Sequence, residues 1–313
     1  MSIWIVQKQM IIIFLLILVG VYLYKKKHLT GDGARQISWI VVNVTNPITL
    51  LCAALSEEQK AKAGDLLVAF LCFAVMYAVL IPVANIIPAM LKVEKGRRYA
   101  YKLLAIFGNV GFIGIPFSSA VLGPSSLIFV SICGLTFNMV IYTYGVYLLK
   151  KTAAEQHPGE DAGSGFSLKD MINSGTVMSV VIVAVYLLDI KVPDMIDSTL
   201  SFIGNCTTFL SMIVLGVSVA QMVPKEVFSR WRLYVFVLVR QIIIPILFIF
   251  LFRPFIKNEL ILSTITVMVA MPGANMPLMM AKQYGVKEDI LSAGIILTTV
   301  ATLITIPAVM YFL

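Results

Sequence analysis

Ten apolar runs divide this sequence, and each is long enough, at about 20 residues, to cross a lipid bilayer as a helix. They cover residues 5–24, 36–55, 66–91, 100–122, 125–149, 171–188, 198–222, 231–252, 260–281 and 289–312. The hydrophobic content of 59% and the charged content of 13% lie far from the averages of soluble domains. The sequence therefore predicts an all-α polytopic membrane protein with ten transmembrane helices.

The basic residues are distributed unevenly between the two sides of these runs. Loops after odd-numbered runs hold seventeen of the 24 Lys and Arg residues, the opposite side holds six, and Arg240 lies within a run. Since cytoplasmic loops are enriched in Lys and Arg, we predict a cell-membrane protein with both termini extracytoplasmic. The net charge of +8 is thus interpreted as a topology signal, and no nucleic-acid partner is expected.

The sequence contains no pattern typical of an enzyme. The four cysteines lie in apolar runs without a CxxC spacing, and the two histidines, His28 and His157, lie in polar loops. HExxH, GxSxG and phosphate-binding loop motifs are absent. We therefore expect neither catalysis, nor a cofactor, nor a metal site.

Two apolar runs contain stretches that oppose a continuous helix. Residues 108–116 read GNVGFIGIP, and residues 271–277 read MPGANMP. Glycine disfavours helix and proline removes a backbone donor, so neither stretch is expected to stay helical, and Pro116, Pro272 and Pro277 are assigned a structural role in the breaks. The freed backbone groups cannot face lipid, which predicts that both breaks are buried and line a cavity.

A hydrophilic, Gly- and Asp-rich linker at residues 150–170 separates two halves of five runs each, 1–149 and 171–313. The linker is predicted to be a flexible cytoplasmic connector. The halves are interpreted as two repeats because three pairs of positions correspond, one of them residues 147–149 with 311–313 at an offset of 164.

The Asn-x-Thr at residues 43–45 recurs at 205–207, an offset of 162, and Pro116 corresponds to Pro277 at an offset of 161. Because each repeat has an odd number of spans, the second copy must be inverted in the membrane. The broken fourth and ninth helices are then predicted to face each other near the midplane, where helix N-termini can receive an anion.

Four motifs carry a resemblance to a known family: GNVGFIGIPF in the fourth run, NMVIY in the fifth, NCTTFLSMIVLGVSVA in the seventh and AMPGANMPLMMAKQYG in the ninth. Together they resemble the auxin efflux carrier family, which includes plant PIN auxin exporters and bacterial malate or malonate permeases. The resemblance extends over essentially the whole chain. The short central linker is more similar to the bacterial members.

That resemblance implies a fold and a mechanism. It implies two inverted five-helix repeats, with spans 1, 2, 6 and 7 as a scaffold and spans 3–5 and 8–10 as a moving transport domain. It also implies crossing broken helices, elevator-type alternating access, a homodimer, and organic anions bearing carboxylates as substrates.

The candidate substrate site lies at the two breaks. Asn109 and Asn275 supply amide donors that a carboxylate needs in a low-dielectric cavity. The backbone is expected to contribute at four further positions, Gly111, Gly114, Gly273 and Ala274. The alternative is that both amides only cap broken backbone.

For three other features the sequence does not decide between a structural role and a role in binding. Asn138, after the first break, could contact the ligand or satisfy the unwound segment. Arg240 is the one charged residue clearly within a run; it could attract the substrate or extend toward carbonyls and headgroups. Asn43 and Asn46 precede Pro47 where the family pattern is apolar, which leaves the scaffold side of the pocket open.

All sixteen Asp and Glu residues lie in loops or at span ends. Cation-coupled carriers usually have a membrane-embedded carboxylate, so the sequence favours an anion carrier driven by membrane potential. The alternatives are a sodium- or proton-coupled symporter of the bile-acid type and a non-transporting scaffold or sensor. Malate, malonate and auxin-like acids all fit the predicted site.

Overall fold

The computed structural model describes residues 3–56, 61–156, 174–221, 230–287 and 289–313. The helices within these ranges are α1 (Ile3–Lys25), α2 (Gly31–Leu55), α3 (Ala63–Met90), α4 (Arg98–Ile106), α5 (Val110–Val121), α6 (Pro124–Gln156), α7 (Ser174–Leu187), α8 (Asp194–Ala220), α9 (Trp231–Phe252), α10 (Glu259–Ala270), α11 (Asn275–Gln283) and α12 (Asp289–Met310). Most of the predicted linker, residues 157–170, falls outside the described residues, whereas residues 150–156 continue α6.

Seven of these helices are long and apolar enough to cross a membrane: α1, α2, α3, α6, α8, α9 and α12. The other three predicted spans correspond to α7 and to two helix pairs, α4 with α5 and α10 with α11. The prediction of an all-helical, multi-pass membrane protein is confirmed. The count of ten spans and their inverted arrangement stay predictions.

Both predicted breaks interrupt a helix, but each is shorter than the sequence suggested. Non-helical backbone is confined to residues 107–109 between α4 and α5, and to residues 271–274 between α10 and α11. The expectation that all of residues 108–116 would leave the helical state was therefore wrong. Residues Val110–Gly114 form a π-helical turn that runs directly into α-helix.

The three prolines occupy different positions relative to the breaks. Pro277 is the third residue of α11, where the first N–H groups have no partner within the helix, so proline's missing donor costs nothing. Pro116 lies inside α5, directly after its π-helical turn. Pro272 alone lies within non-helical backbone. One proline thus starts a helix, one follows a π turn within a helix, and one occupies a break.

The helices pack in two groups. The first group consists of α1, α2, α7 and α8, and the second of α3, α4, α6, α9, α10 and α12; α7 packs against α6 as well as α2, and α5 contacts both groups. In the first group Thr49 Oγ1 donates to Gly204 O at 3.0 Å and lies 2.7 Å from Thr207 Oγ1, which joins α2 to α8. The groups meet mainly where α7 and α2 pack against α6 and where α1 packs against α12.

Glycine allows α1 and α8 to cross at very short range. A methyl group on Gly216 would overlap the carbonyl oxygen of Ile17, and one on Gly20 would lie 2.5 Å from the carbonyl oxygen of Ile213. In both cases the obstacle is backbone, which cannot rotate away as a side chain can. Small residues are what allow helix backbones to approach this closely within a membrane.

Gly216→Ala is therefore expected to separate α1 from α8 and to lower stability by about 1–3 kcal/mol, the usual cost of overpacking. Gly64→Ala is the matched control, since Gly64 also lies in a helix but a methyl there meets nothing within 4 Å. Thermal unfolding of the purified variants in detergent measures the difference. Equal melting temperatures for the two variants would contradict the close crossing.

Candidate functional site

The two helix breaks pair with each other through their backbones. They form an isolated antiparallel bridge between Gly108 and Gly273. Its two hydrogen bonds run from Asn109 N to Pro272 O at 2.7 Å and from Ala274 N to Phe107 O at 3.0 Å. Backbone groups freed by one break are thus satisfied by the other, as burial away from water requires.

A threonine on α12 anchors the second break. Thr298 Oγ1 accepts the N–H of Gly273 at 3.0 Å and lies 2.7 Å from Gly294 O, to which it donates within its own helix. The carbonyl of Thr298 accepts from Gln241 Nε2 of α9 at 3.0 Å. One buried threonine therefore connects the break to both α9 and α12.

Asn109 caps the helix that follows the first break. Its Oδ1 accepts the N–H of Phe112 at 3.1 Å, which fixes the orientation of the amide and directs Nδ2 away from that helix. Asn109 is 2% exposed, and within the described part of the chain its Nδ2 has no hydrogen-bond partner. A buried donor left unpaired costs about 1–3 kcal/mol, so this amide is a candidate ligand group.

The N-terminus of α11 is uncapped. Ala274 occupies the N-cap position and makes no side-chain cap, in contrast to Asn109 at the first break. The first-turn N–H groups of α11 therefore lack the partner that a capping side chain would supply. They also carry the positive end of the helix dipole, which favours a negatively charged ligand.

A cavity of about 210 Å³ adjoins the residues that carry both of these donors. Its wall is formed by α2 and α7 of the first group, by α6 of the second group, and by the two breaks with the helices that follow them, α5 and α11. Every described lining residue is uncharged, and four of them are asparagines: Asn46, Asn109, Asn138 and Asn275. The cavity thus offers amides and helix N-termini without a formal charge in its wall.

The structure brings together five of the eight predicted ligand positions. The five on the cavity wall are Asn109, Gly111, Asn138, Ala274 and Asn275.

Gly114, Gly273 and Arg240 are not among the described lining residues. Gly273 instead donates to Thr298, and a methyl on Gly114 would meet Met268 at 3.2 Å. Arg240 is 2% exposed, and its Nη1 donates to Val269 O near the end of α10.

The sequence did not decide whether Asn46 contributes to the pocket. In the structure Asn46 lies on the cavity wall. It is 7% exposed, and within the described residues its Oδ1 has no hydrogen-bond partner. Its Nδ2 lies 3.2 Å from the position that a methyl on Gly111 would take, so α2 and α5 approach closely here. The signal in the sequence was an asparagine directly before Pro47 within an apolar run.

The described residues contain four π-helical turns that no sequence pattern predicted, and three of them contribute residues to the cavity wall. Their residues are Val41–Thr45, Val110–Gly114, Ile141–Gly145 and Val239–Ile243. The first precedes Asn46, the second follows Asn109, the third contains the lining residue Tyr142, and the fourth contains Arg240. Single π turns occur frequently at functional sites, where they turn side chains out of the regular helical order.

The whole chain matches one protein family. Residues 5–310 match the family described as membrane transport protein, which is the auxin efflux carrier-like family. This chain belongs to that family. The resemblance predicted from the helix-break motifs is thereby confirmed, and the family is one of transporters rather than enzymes. No curated protein matches the chain.

In this transporter Thr298→Val is expected to leave the N–H of Gly273 unpaired in the core, at a cost of about 1–3 kcal/mol in stability. Thr299→Val is the matched control, because Thr299 is also buried but its hydroxyl donates only to Ile295 O within its own helix. Thermal unfolding should separate the two variants clearly. If Thr299→Val were equally destabilised, the anchoring role of Thr298 would be refuted.

Proposed function

We propose that this transporter is a secondary carrier of small organic anions that bear a carboxylate, and that the anion binds in the cavity at the two breaks. The observation that carries the proposal is that two donor groups without a partner among the described residues belong to residues that line one cavity. These are the buried Nδ2 of Asn109 and the uncapped N-terminus of α11. A carboxylate accepts hydrogen bonds from both kinds of donor and is stabilised by the dipole.

The charge of the site favours a monoanion. Each helix N-terminus is equivalent to about +0.5 elementary charge, so the two that follow the breaks compensate about one negative charge. The described wall adds no cationic side chain that could neutralise a second charge. Monocarboxylates, auxin-like acids and the singly charged forms of malonate or malate therefore fit better than fully ionised dicarboxylates.

The arrangement of the helices supports elevator-type transport. The cavity wall includes α2 and α7 of the first group and α6 of the second, and Thr298 on α12 of the second group holds the paired breaks. Movement of the second group relative to α1, α2, α7 and α8 would carry the breaks and the bound anion together. The inverted repeat predicted from the sequence would supply two such states of similar energy. The homodimer and the extracytoplasmic termini belong to the same proposal.

Membrane potential is the proposed driving force in the cell membrane. Among the described lining residues there is no Asp, Glu or His that could exchange a proton, and the described residues contain no cluster of acidic, His or Cys side chains suited to a metal ion. Charge then moves with the substrate alone.

Asn109→Ala is expected to lower carboxylate flux by about 10- to 100-fold, since a hydrogen bond to a charged group contributes about 1.5–3 kcal/mol. Asn85→Ala is the matched control: Asn85 is exposed on α3, donates to Ile81 O, and lies outside the described cavity wall. Flux is measured in proteoliposomes with equal amounts of folded protein. Unchanged flux in Asn109→Ala would show that the substrate does not bind at the breaks.

Wild-type protein in proteoliposomes is expected to give a current with monocarboxylates, including indole-3-acetate, when only a membrane potential is applied. Malonate and malate should give larger currents at acidic pH, where the singly charged forms increase. Because monocarboxylate currents should not show this increase, they serve as the control for effects of pH on the protein itself. Flux that needs a sodium or proton gradient would instead support the bile-acid type of symport.

A further inference from the structure

Arg240 places a positive charge in the protein interior at the point where the broken helices cross. It is 2% exposed and belongs to the π-helical turn of α9. Its Nη1 donates to Val269 O, and its Nη2 lies 3.7 Å from the position that a methyl on Gly108 would take. The guanidinium therefore touches the second break region and closely approaches the first.

The backbone around Arg240 is electronegative for a geometrical reason. α4 ends at Ile106 and α10 ends at Ala270, so the carbonyl ends of both helices meet at the paired breaks. Val269 is one of the last four residues of α10, whose carbonyls lack partners within the helix. Each carbonyl end is equivalent to about −0.5 elementary charge, so a cation is stabilised here as an anion is on the cavity side.

No acidic side chain neutralises Arg240 in the described part of the chain. The ion pairs found there involve Arg35, Arg97 and Arg230 instead. The Nε of Arg240 also has no hydrogen-bond partner among the described residues. A buried cation without a counter-ion is costly, and here the compensating negative charge is that of the two helix ends.

We infer that Arg240 is a built-in counter-cation of the crossing helices, a positioning residue that neutralises their carbonyl ends. A carrier without such a residue would need a mobile cation at this place. Because the charge of Arg240 is part of the protein, substrate movement requires no co-transported cation. This rests on the proposed function where flux is the measurement, but the electrostatic role of Arg240 does not depend on it.

The first test compares wild type, Arg240→Ala and Arg240→Lys in proteoliposomes under a fixed membrane potential. Wild-type carboxylate flux is expected to be equal in sodium and choline media. Arg240→Ala should lose about tenfold or more, as for removal of a charged hydrogen-bonding partner. Millimolar guanidinium should restore much of the loss, and Arg240→Lys should keep part of the flux because it retains the charge.

The second test measures the electrostatic role of Arg240 through the melting temperature, without a transport assay. Guanidinium is expected to raise the melting temperature of Arg240→Ala in detergent and not that of wild type. Arg253→Ala is the matched control, because Arg253 also donates to backbone carbonyls, Phe312 O and Leu313 O, but at an exposed position. Guanidinium should not stabilise that variant.

The outcomes separate this inference from the proposed function. If wild type carries no carboxylate but guanidinium stabilises Arg240→Ala, the counter-cation role holds and the proposed function fails. Sodium-dependent flux in wild type, full flux in Arg240→Ala, or a loss that guanidinium restores in neither flux nor melting temperature would each overturn the counter-cation role.

Discussion

The pairing of two interrupted helices is the interaction on which the rest of the structure depends. A segment that leaves the helical state away from water must find partners for its N–H and C=O groups, and here each break finds them on the other. The bridge joins positions about 165 residues apart, Gly108 and Gly273. Neither half of the chain can therefore satisfy its own break, and the site forms only when both halves have folded together.

The pairing of the breaks also separates the positive and negative ends of the helix dipoles. Helix N-termini follow the breaks and adjoin the cavity, whereas carbonyl ends precede the breaks and lie toward Arg240. The positive ends of these dipoles favour an anion, and the negative ends favour the guanidinium of Arg240. This explains how a cavity whose described wall is entirely uncharged can still be suited to an anion.

The sequence predicted the helices and the breaks well because both follow from local chemistry. Apolar runs of sufficient length indicate spans, and Gly, Asn and Pro clustered within them indicate interruptions. Proline alone was a poor guide, because Pro82 and Pro88 lie inside α3 and Pro307 lies inside α12 without ending either helix. What distinguishes the breaks is the addition of glycines and of a partner segment that accepts the freed backbone.

The position of Arg240 and the role of Asn46 could not be predicted in the same way. Both depend on which face of a helix meets the crossing point, and the π turns shift that face by an amount that residue counting does not reveal. Arg240 is recognisable in the sequence as an unusual intramembrane charge. The groups that it contacts, however, are set by tertiary packing between α9 and α10.

The π turns also affect how this chain can change length. A π turn holds about one residue more than a turn of α-helix while the chain rotates by nearly the same angle, so deleting one residue from Val41–Thr45 would restore ordinary helix and leave Asn46 and Thr49 in nearly their present directions. A deletion in the α-helix that follows would instead rotate all later residues of α2 by about 100° relative to α8. We therefore expect single-residue deletions to be tolerated better within the π turns than in the α-helix next to them.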